Sequence, residues 1–308
     1  MPYFPPTGGG VVLPNSLDDT LLADMPDGTV KGRALGAGVG DPTNLTVAQL
    51  WALLGNPVFT ACRLDYVNAT TLRLNRWNGT LLTIDNVPQA IPAAGVDYVA
   101  SGLTAGTDYY VYARMNAGAI ALELSTTGYA VDVRNGLKVK TGDATRSLVG
   151  WVRWTGTPQF SFGQGARLVR SYYNRKLYAE YISPVSGSTA SGTSVQIAFI
   201  AEFSYWADEK AAFAVTGYNY NASQNNYCVS QIAITDQSGA VVVTSNAGQI
   251  AQCANGTTNQ YMPVSIEGGL SGMQYPTIAE KYLAARLYGS VNTGTGNWAC
   301  SGTSIGTC

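Results

Sequence analysis

The feature that most constrains this chain is a proline- and glycine-rich leader that runs into a single short helix. Six of the 13 prolines and eight of the 35 glycines fall within the first 42 of the 308 residues. No periodic apolar pattern accompanies them, and such a segment cannot bury enough surface to fold alone. Residues 1–57 are therefore predicted to form an extended arm that becomes ordered only against partners.

One helix is predicted at the end of this arm, over residues 46–54. Thr46 and Gln49 stand at the spacing of a capping box, in which each side chain bonds to the backbone of the other residue. Gly55 and Pro57 follow, and both residue types commonly end a helix. The helix signals are thus complete within a very short stretch.

The predicted helix is apolar on nearly every side, because its large side chains are Val47, Leu50, Trp51, Leu53 and Leu54. A helix of roughly nine residues is unstable in isolation. We therefore expect it to pack against the neighbouring domain or against copies of itself, with a homotrimer as the expected assembly, and an extended arm ahead of it suits docking into a larger particle.

Residues 21–55 resemble the N-terminal part of tail-fibre and related fibre proteins of tailed bacteriophages, and the resemblance continues over 62–112 and 125–150. The matching positions are Leu22, Ala23, Asp24, Lys31, Gly32, Arg33, Gly40, Asp41, Pro42, Leu45, Thr46, Gln49, Leu53 and Leu54. The resemblance implies a protein made in the host cytoplasm and placed in the virion, on the tail or the capsid surface. The residues expected to attach it to other virion proteins are Asp24, Lys31, Arg33, Leu50, Trp51 and Leu54.

Composition argues against several classes of function. Charged residues are 12% of the chain and the net charge is −1, so no electrostatic footprint for nucleic acid is present. Histidine is absent, which excludes Ser-His-Asp and Cys-His nucleophiles and His-ligated zinc. No run approaches the ~18 apolar residues of a membrane span, and no CxxC pair suggests zinc. We expect no metal, no cofactor and no membrane insertion.

From residue 58 the pattern becomes mainly β, with short alternating segments and tight turns. Asn78-Gly79, Asn116-Ala117-Gly118 and Asn135-Gly136 are each predicted to close a hairpin. Residues 147–154 are apolar on both faces, which is typical of a central strand. Residues 58–175 are predicted to form one antiparallel β domain, and the basic and aromatic residues 169–176 are interpreted as the joint to the next.

Residues 176–308 are predicted to form a second antiparallel β domain, a sandwich or jelly roll. Its strands are expected at 195–203, 211–215, 227–235, 240–244, 263–267 and 279–291. The cysteines of this part could pair, Cys228 with Cys253 and Cys300 with Cys308, or remain buried thiols. A particle that persists outside the cell would favour the bridges.

The most suggestive candidate site is residues 217–227, which combine tyrosine with short polar side chains. Such loops supply rigid rings for contact area and amides for hydrogen bonds, which are also what sugars require. The residues expected to bind a bacterial surface glycan or receptor are Trp206, Tyr218, Asn219, Tyr220, Asn225, Tyr227 and Tyr261. The alternative is that the tyrosines pack between strands or subunits while the asparagines form turns.

These observations favour a non-enzymatic virion fibre that attaches by its N-terminus and presents its C-terminal domain to the host. A tail fibre or tail-tip protein is the first choice, and a head fibre that decorates the capsid is the alternative. A glycan depolymerase that uses Asp208 and Glu209 is a further alternative, since glycoside cleavage needs only two carboxylates. A purely structural spacer is the weakest of these hypotheses.

Overall fold

The chain divides into two compact units, Met1–Pro57 and Val58–Cys308. A computed structural model describes residues 29–40, 42–55, 57–156, 160–163, 165–176, 178–182, 185–190, 192–193, 195–206, 208, 210–221, 227–236, 241–244, 249–252, 262–271, 281–292 and 295–307. Asp24 and most of the predicted arm therefore lie outside the described residues. The described part is mainly β with antiparallel sheets, which confirms the predicted fold class.

The described part of the first unit contains a two-stranded sheet and a helix: β1 (Lys31–Gly32), β2 (Thr43–Asn44) and α1 (Val47–Leu53). The predicted capping box is confirmed. The Gln49 amide donates to Thr46 Oγ1 at 3.2 Å, and the Thr46 amide donates to Gln49 Oε1 at 2.8 Å. At the other end the Gly55 amide donates to the Ala52 carbonyl at 3.1 Å, with Gly55 at φ 76°. The sequence therefore sets both ends of this helix.

The first block of the second unit contains thirteen described strands. They are β3 (Cys62–Asn68), β4 (Thr71–Arg76), β5 (Leu81–Ile84), β6 (Val87–Ala90), β7 (Val96–Val99), β8 (Thr107–Asn116), β9 (Ala119–Ser125), β10 (Tyr129–Val131), β11 (Lys138–Lys140), β12 (Asp143–Trp154), β13 (Phe162–Gly163), β14 (Ala166–Arg167) and β15 (Val169–Ser171). Three of their sheets have the orders β3-β4-β7, β5-β6 and β10-β11-β12-β8-β9, with β15 also paired to β12.

Strand β12 is the centre of the largest of these three sheets, as its two apolar faces predicted. It pairs with β8 along one edge and with β11 and then β15 along the other. Every residue from Ser147 to Arg153 is buried. One face of this sheet packs on β3, β4 and β5 in a core that includes Leu64, Leu74 and Leu82. The other face packs on an aromatic cluster described below.

The hairpin predicted at Asn78-Gly79 is wrong, because β4 and β5 belong to different sheets. Ala61 lies between them, since its amide donates to the Leu81 carbonyl and its carbonyl accepts from the Trp77 amide, both at 3.0 Å. Asn78 and Gly79 still have positive φ, 55° and 143°, so the turn chemistry is present without the pairing. Strand β5 instead pairs with β6 across two residues with positive φ, Asp85 and Asn86.

The other two predicted hairpins are confirmed. Strands β8 and β9 are joined by Ala117 and Gly118, with φ 48° and 82°, which suits the twist of a two-residue hairpin. Strands β10 and β11 form the second, with Asn135-Gly136 in its loop. Val133 lies in this loop and is almost fully exposed.

The second block contains ten strands among the described residues. They are β16 (Tyr178–Ile182), β17 (Val185–Thr189), β18 (Val195–Tyr205), β19 (Lys210–Asn221), β20 (Tyr227–Thr235), β21 (Val241–Thr244), β22 (Gln249–Gln252), β23 (Met262–Ser271), β24 (Lys281–Val291) and β25 (Gly296–Thr307). One sheet includes β18-β24-β20-β21, with β22 also on β20, and the other has the order β16-β25-β19-β23, with β17 also on β25. Consecutive strands pass repeatedly from one sheet to the other, which is the connectivity of a β-sandwich.

The two blocks share a sheet. Strand β14 lies parallel to β18, with Ala166 opposite Glu202, and β13 pairs with β14. The Glu202 amide also donates to the Gly165 carbonyl at 2.8 Å. Strands on both sides of the predicted boundary at residues 175–176 therefore hydrogen-bond to one another, while the boundary itself stays a prediction.

The predicted bridge between Cys228 and Cys253 is not formed in this structure, where Cys228 is a buried thiol in β20. Its neighbours across the sheet are Ala251 on one side and Val291 on the other. Cys253 and Cys308 lie outside the described residues. The bridge between Cys300 and Cys308 thus stays a prediction.

Candidate functional site

Half of the predicted recognition loop is a strand. Residues 217–221 belong to β19, which pairs with β25 on one side and with β23 on the other. Alternating Tyr and Asn at 218–221 is the period-two pattern of a strand, which sends alternate side chains to opposite faces. The prediction of a loop here is therefore wrong for Tyr218, Asn219 and Tyr220.

Two of the predicted glycan-binding residues are inaccessible. Trp206 and Asn219 are completely buried, so neither side chain can meet a surface ligand. Asn219 Nδ2 donates to Ser230 Oγ at 2.9 Å, which links the two sheets of the sandwich. Tyr220 is half-buried and Tyr227 is the first residue of β20. The remaining two predicted residues, Asn225 and Tyr261, lie outside the described residues.

Trp206 belongs instead to an aromatic cluster on the second face of the β12 sheet. Its ring lies edge-on to Trp151, Tyr129 and Tyr172, with centroid separations of 6.2, 6.4 and 5.1 Å. Edge-to-face contacts of this kind stabilise by about 0.5–1.5 kcal/mol each beyond the buried area. Trp206 follows β18, whereas the other rings belong to the first block. The cluster therefore joins the two blocks.

Arg175 extends the same contact to the surface. Its guanidinium stacks over the rings of Tyr172 and Trp206, and its Nη1 donates to Asp208 Oδ1 at 2.6 Å. Asp208 is a candidate catalytic carboxylate of the depolymerase hypothesis, and this ion pair engages one of its oxygens. Glu209 lies outside the described residues.

Of the predicted attachment residues, Arg33 has the clearest local role. Its Nε donates to the Gly38 carbonyl at 3.1 Å, and its Nη2 donates to the Ala37 carbonyl. Arg33 thereby closes the glycine-rich loop between β1 and β2. Lys31 is exposed in β1. In and beside α1, Leu50 and Trp51 are half-buried and Leu54 is exposed.

A cleft of about 410 Å³ lies along β3, the edge strand of the three-stranded sheet. This volume is within the roughly 300–1,000 Å³ of small-ligand sites. Its lining brings together residues from β3, β4 and the segment that leads to the second block. The polar and aromatic side chains among them are Asp65, Tyr66, Arg73, Asn75, Phe162 and Lys176. We call this the basic cleft.

The polar side chains of the basic cleft are held in place by one another. Asp65 accepts from Arg63 Nε at 2.8 Å and from Asn75 Nδ2 at 2.7 Å. Arg73 makes two hydrogen bonds to Asp97, at 2.5 and 2.8 Å. Paired strands present these residues on one face because Arg63 lies opposite Asn75 and Asp65 lies opposite Arg73. The side chains are thus positioned before any ligand arrives.

The aromatic wall of the basic cleft is also fixed. The rings of Tyr66 and Phe162 stack with centroids 5.9 Å apart at 22°, and Arg167 lies 4.6 Å from the centre of the Phe162 ring. A smaller cavity adjoins the cleft and shares Leu64, Val169 and Lys176 with it. Its further cationic lining residues are Arg63, Arg170 and Arg175.

Sequence reasoning missed the basic cleft. A signal was present, since Arg63 and Asp65 alternate with apolar residues, as do Arg73 and Asn75. That pattern predicts a polar face on two paired strands. The approach of residues 162–176 to this face could not be read from local periodicity, because it depends on how distant segments pack.

The described part of the chain lacks two further kinds of site, a metal-binding group of side chains and a membrane-spanning helix. No three His, Cys, Asp or Glu side chains come together there in a group that could hold a metal ion. It also contains no helix that is long and apolar enough to cross a membrane.

No protein-family model matches this chain, and no curated protein matches it. The resemblance of residues 21–55 to phage fibre proteins therefore stays an interpretation of the sequence.

Among solved structures, the similar ones include the VP2 capsid protein of infectious bursal disease virus. Its subviral particle is 13% identical with a TM-score of 0.30, over 52% of this chain and 39% of that one. The T=1 particle of the same virus is 11% identical with a TM-score of 0.33, over 85% and 75%. This chain thus spans well under half of the VP2 chain in the subviral particle.

A study of carbohydrate-binding modules from the β-sandwich superfamily supplies a third similar structure. It is 10% identical with a TM-score of 0.20, over 80% of this chain and 98% of that one. At such scores these three likenesses establish neither a shared fold nor a shared function. The mainly β architecture is taken from the structure described above.

Proposed function

We propose that this protein is a structural virion protein, a fibre that attaches to the particle through residues 1–57 and presents its β blocks to the host surface. One observation carries the proposal: α1, which lies within the fibre-like sequence pattern, has no buried residue although most of its side chains are apolar. Val47, Leu53 and Leu54 are 63%, 43% and 59% exposed. An exposed apolar surface of this kind is expected to be buried against a partner in an assembly.

The helix has well-formed ends, but none of its residues is fully buried. Its capping box fixes where it begins, whereas a helix of seven residues draws most of its stability from packing of its apolar face. Self-association around a symmetry axis would bury that surface in every copy at once. We therefore propose a homotrimer joined through α1, with other virion proteins bound by the arm that precedes it.

The preferred location is the tail, as a tail fibre or tail-tip protein, because the sequence pattern of residues 21–55 resembles that of tail-fibre proteins in the first place. A head fibre on the capsid is the alternative. Either location requires an anchor and a presented β domain. Immunogold labelling of intact particles with an antibody against residues 177–308 distinguishes them, because gold would collect at the tail or over the head. Particles that carry no label on either would overturn the proposal.

The role of α1 is tested on the purified full-length chain by light scattering. We expect a trimer for the unmodified protein and a lower mass for the Leu53→Ser/Leu54→Ser variant. The matched control is Val99→Ser, which removes a 66% exposed valine from the second unit and leaves α1 intact. A monomer for the unmodified chain, or an unchanged mass for the helix variant, would contradict association through α1.

We propose that the host ligand is a surface glycan and that the protein does not cleave it. Binding rather than hydrolysis is supported by Asp208, an exposed carboxylate that is ion-paired with Arg175. Incubation with host capsule should release no reducing sugar. Release that disappears in Asp208→Asn would instead establish the depolymerase.

A further inference from the structure

We infer that Asn78 is the site of a spontaneous covalent modification, deamidation through attack by the backbone nitrogen of Gly79. The chain offers a matched comparison, because Asn-Gly pairs occur at 78–79, 135–136 and 255–256. Asparagine is a thermolabile residue, and a following glycine has no Cβ to hinder attack by its nitrogen. The structure gives the first two pairs opposite environments, and the third lies outside the described residues.

The reaction needs only water and involves no oxidation or reduction. The Gly79 nitrogen forms a bond to Cγ of Asn78, the Cγ–Nδ2 bond breaks, and Nδ2 leaves as ammonia with the proton that the Gly79 nitrogen loses. Water then opens the cyclic imide. Cleavage between the ring nitrogen and Cγ gives aspartate, whereas cleavage between the nitrogen and the backbone carbonyl carbon gives isoaspartate. Either product replaces a neutral amide with a carboxylate.

Within the described part of the chain, no hydrogen bond holds the reactive groups at 78–79. Asn78 and Gly79 are both exposed, and neither forms a hydrogen bond there through its side chain or its backbone. The preceding residue is held, since the Trp77 amide donates to the Ala61 carbonyl at 3.0 Å. The two turn residues can therefore change conformation without breaking a hydrogen bond of their own.

The fold also requires the glycine that makes this asparagine reactive. Gly79 has φ 143°, and a Cβ on it would lie 2.9 Å from the Cβ of Ala61. A larger residue would be strained at this φ and would need the neighbouring segment to shift. Asn78 has φ 55°, a left-handed conformation that asparagine tolerates better than most residues. The turn geometry thus favours the residue pair that deamidates most readily.

The pair at Asn135-Gly136 is held at both reactive groups. Asn135 Nδ2 donates to Asn86 Oδ1 at 3.0 Å, and Asn135 Oδ1 accepts from the Leu137 amide at 2.9 Å. The attacking nitrogen is engaged as well, since the Gly136 amide donates to the Asp132 carbonyl at 2.7 Å. Attack on Cγ requires these bonds to open first, and the need for local opening lowers the reactive population. The same dipeptide is therefore protected in this loop and available at 78–79.

The modification alters the surface of the first block. It adds a negative charge directly after Trp77, whose ring centre lies 3.7 Å from the guanidinium carbon of Arg63. On a particle that persists outside the cell, modified copies accumulate because no new chain replaces them. This consequence rests on the proposed function, whereas the reaction is measured on the purified chain and can succeed or fail independently of it.

The test follows both sites by mass spectrometry while the purified full-length chain is incubated at neutral pH. Trypsin places the sites on separate peptides, 77–114 and 135–138. In the folded chain Asn78 should react at least about tenfold faster than Asn135, because three hydrogen bonds must open at the slower site. In denaturing urea the two rates should become similar. No reaction at Asn78, similar rates in the folded chain, or the same ratio with and without urea would overturn the inference.

A variant tests the protection of Asn135 directly. Asn86→Gly removes the acceptor of Asn135 Nδ2 and keeps the turn, because Asn86 has φ 61° and glycine tolerates positive φ. The rate at Asn135 should rise about fivefold, as expected for loss of one hydrogen bond. The rate at Asn78 is the matched internal control and should not change. An unchanged rate at Asn135 would overturn the role of this bond, and if the variant does not fold, the urea comparison on the unmodified chain still decides the inference.

Discussion

The indole Nε1 of Trp206 donates a hydrogen bond to the carbonyl oxygen of Ser171 at 3.2 Å. Ser171 is also bonded to the edge of the first block, because its Oγ accepts from the Leu64 amide at 3.0 Å and donates to the Tyr173 carbonyl at 2.6 Å. One serine at the end of β15 thus connects three segments that are far apart in sequence. The joint between the blocks is a packed, hydrogen-bonded contact.

Truncation of Trp206 tests the strength of this joint. Trp206→Ala should lower the free energy of unfolding by about 3–5 kcal/mol, the usual cost of a large core cavity. Chemical denaturation followed by fluorescence measures it. Trp77→Ala is the control, because Trp77 is 40% exposed and should cost much less. Equal losses in the two variants would show that the cluster does not hold the blocks together.

Asn174 holds the end of the first block against β3 and the residues before it by two effects that substitution can separate. Its φ is 49°, and its Nδ2 donates to the Thr60 and Cys62 carbonyls at 3.0 and 2.8 Å. Asn174→Gly keeps the backbone conformation and loses the bonds, which should cost about 1–2 kcal/mol. Asn174→Ala loses both and should cost about 1 kcal/mol more, because a Cβ disfavours this conformation. Urea unfolding of both variants gives the values, and an Ala variant as stable as Gly would contradict the backbone effect.

Local signals in the sequence predicted much of the fold. The capping box of Thr46 and Gln49 and the turn at Ala117-Gly118 follow from interactions between near neighbours, and the apolar run of β12 predicted its central position. The bounds predicted for β20 also agree with the structure. Patterns of this kind are determined by residues within a few positions of one another.

What escaped prediction depends on distant segments. Strand β25 is rich in glycine, serine and threonine, so its alternation is weak, and it forms through pairing with β19, β16 and β17. Asn78-Gly79 has the turn conformation but Ala61 separates its flanking strands. Trp206 was predicted to bind a ligand because it lies near polar residues in the sequence. The same local sequence is also compatible with a buried aromatic side chain. Only packing distinguishes the two.

Cys62 should be nearly unreactive while the protein is folded. Its side chain is completely buried, and this burial raises the pKa of the thiol to about 12. Since the thiolate is the reactive form, alkylation at pH 8 should be roughly a thousandfold slower than for an exposed cysteine. Mass spectrometry of the peptide that contains Cys62 measures the rate. Urea should restore ordinary reactivity, and rapid labelling without urea would contradict the burial.

Glu123 should make stability depend on pH. Burial opposes its ionisation, but hydrogen bonds from Lys140 and Arg146 outweigh burial and place the pKa of Glu123 below its ordinary value. Lys140 Nζ donates to Oε1 at 2.7 Å, and Arg146 Nε donates to Oε2 at 2.9 Å. A carboxylate with a lowered pKa stabilises the fold above its unfolded value of about 4.3 and loses that contribution as the pH falls through the folded pKa.

Glu123→Gln should therefore lower the free energy of unfolding at pH 7 by about 0.5–1 kcal/mol, the size expected for partly exposed ion pairs. The difference from the unmodified protein should be smaller at about pH 3 than at pH 7, because protonation of Glu123 removes the charge that Lys140 and Arg146 stabilise. Urea unfolding at both pH values measures it. In a Lys140→Gln background the same substitution should cost less, because one of its partners is already removed. A constant difference across the pH range would show that packing, and not charge, accounts for the loss.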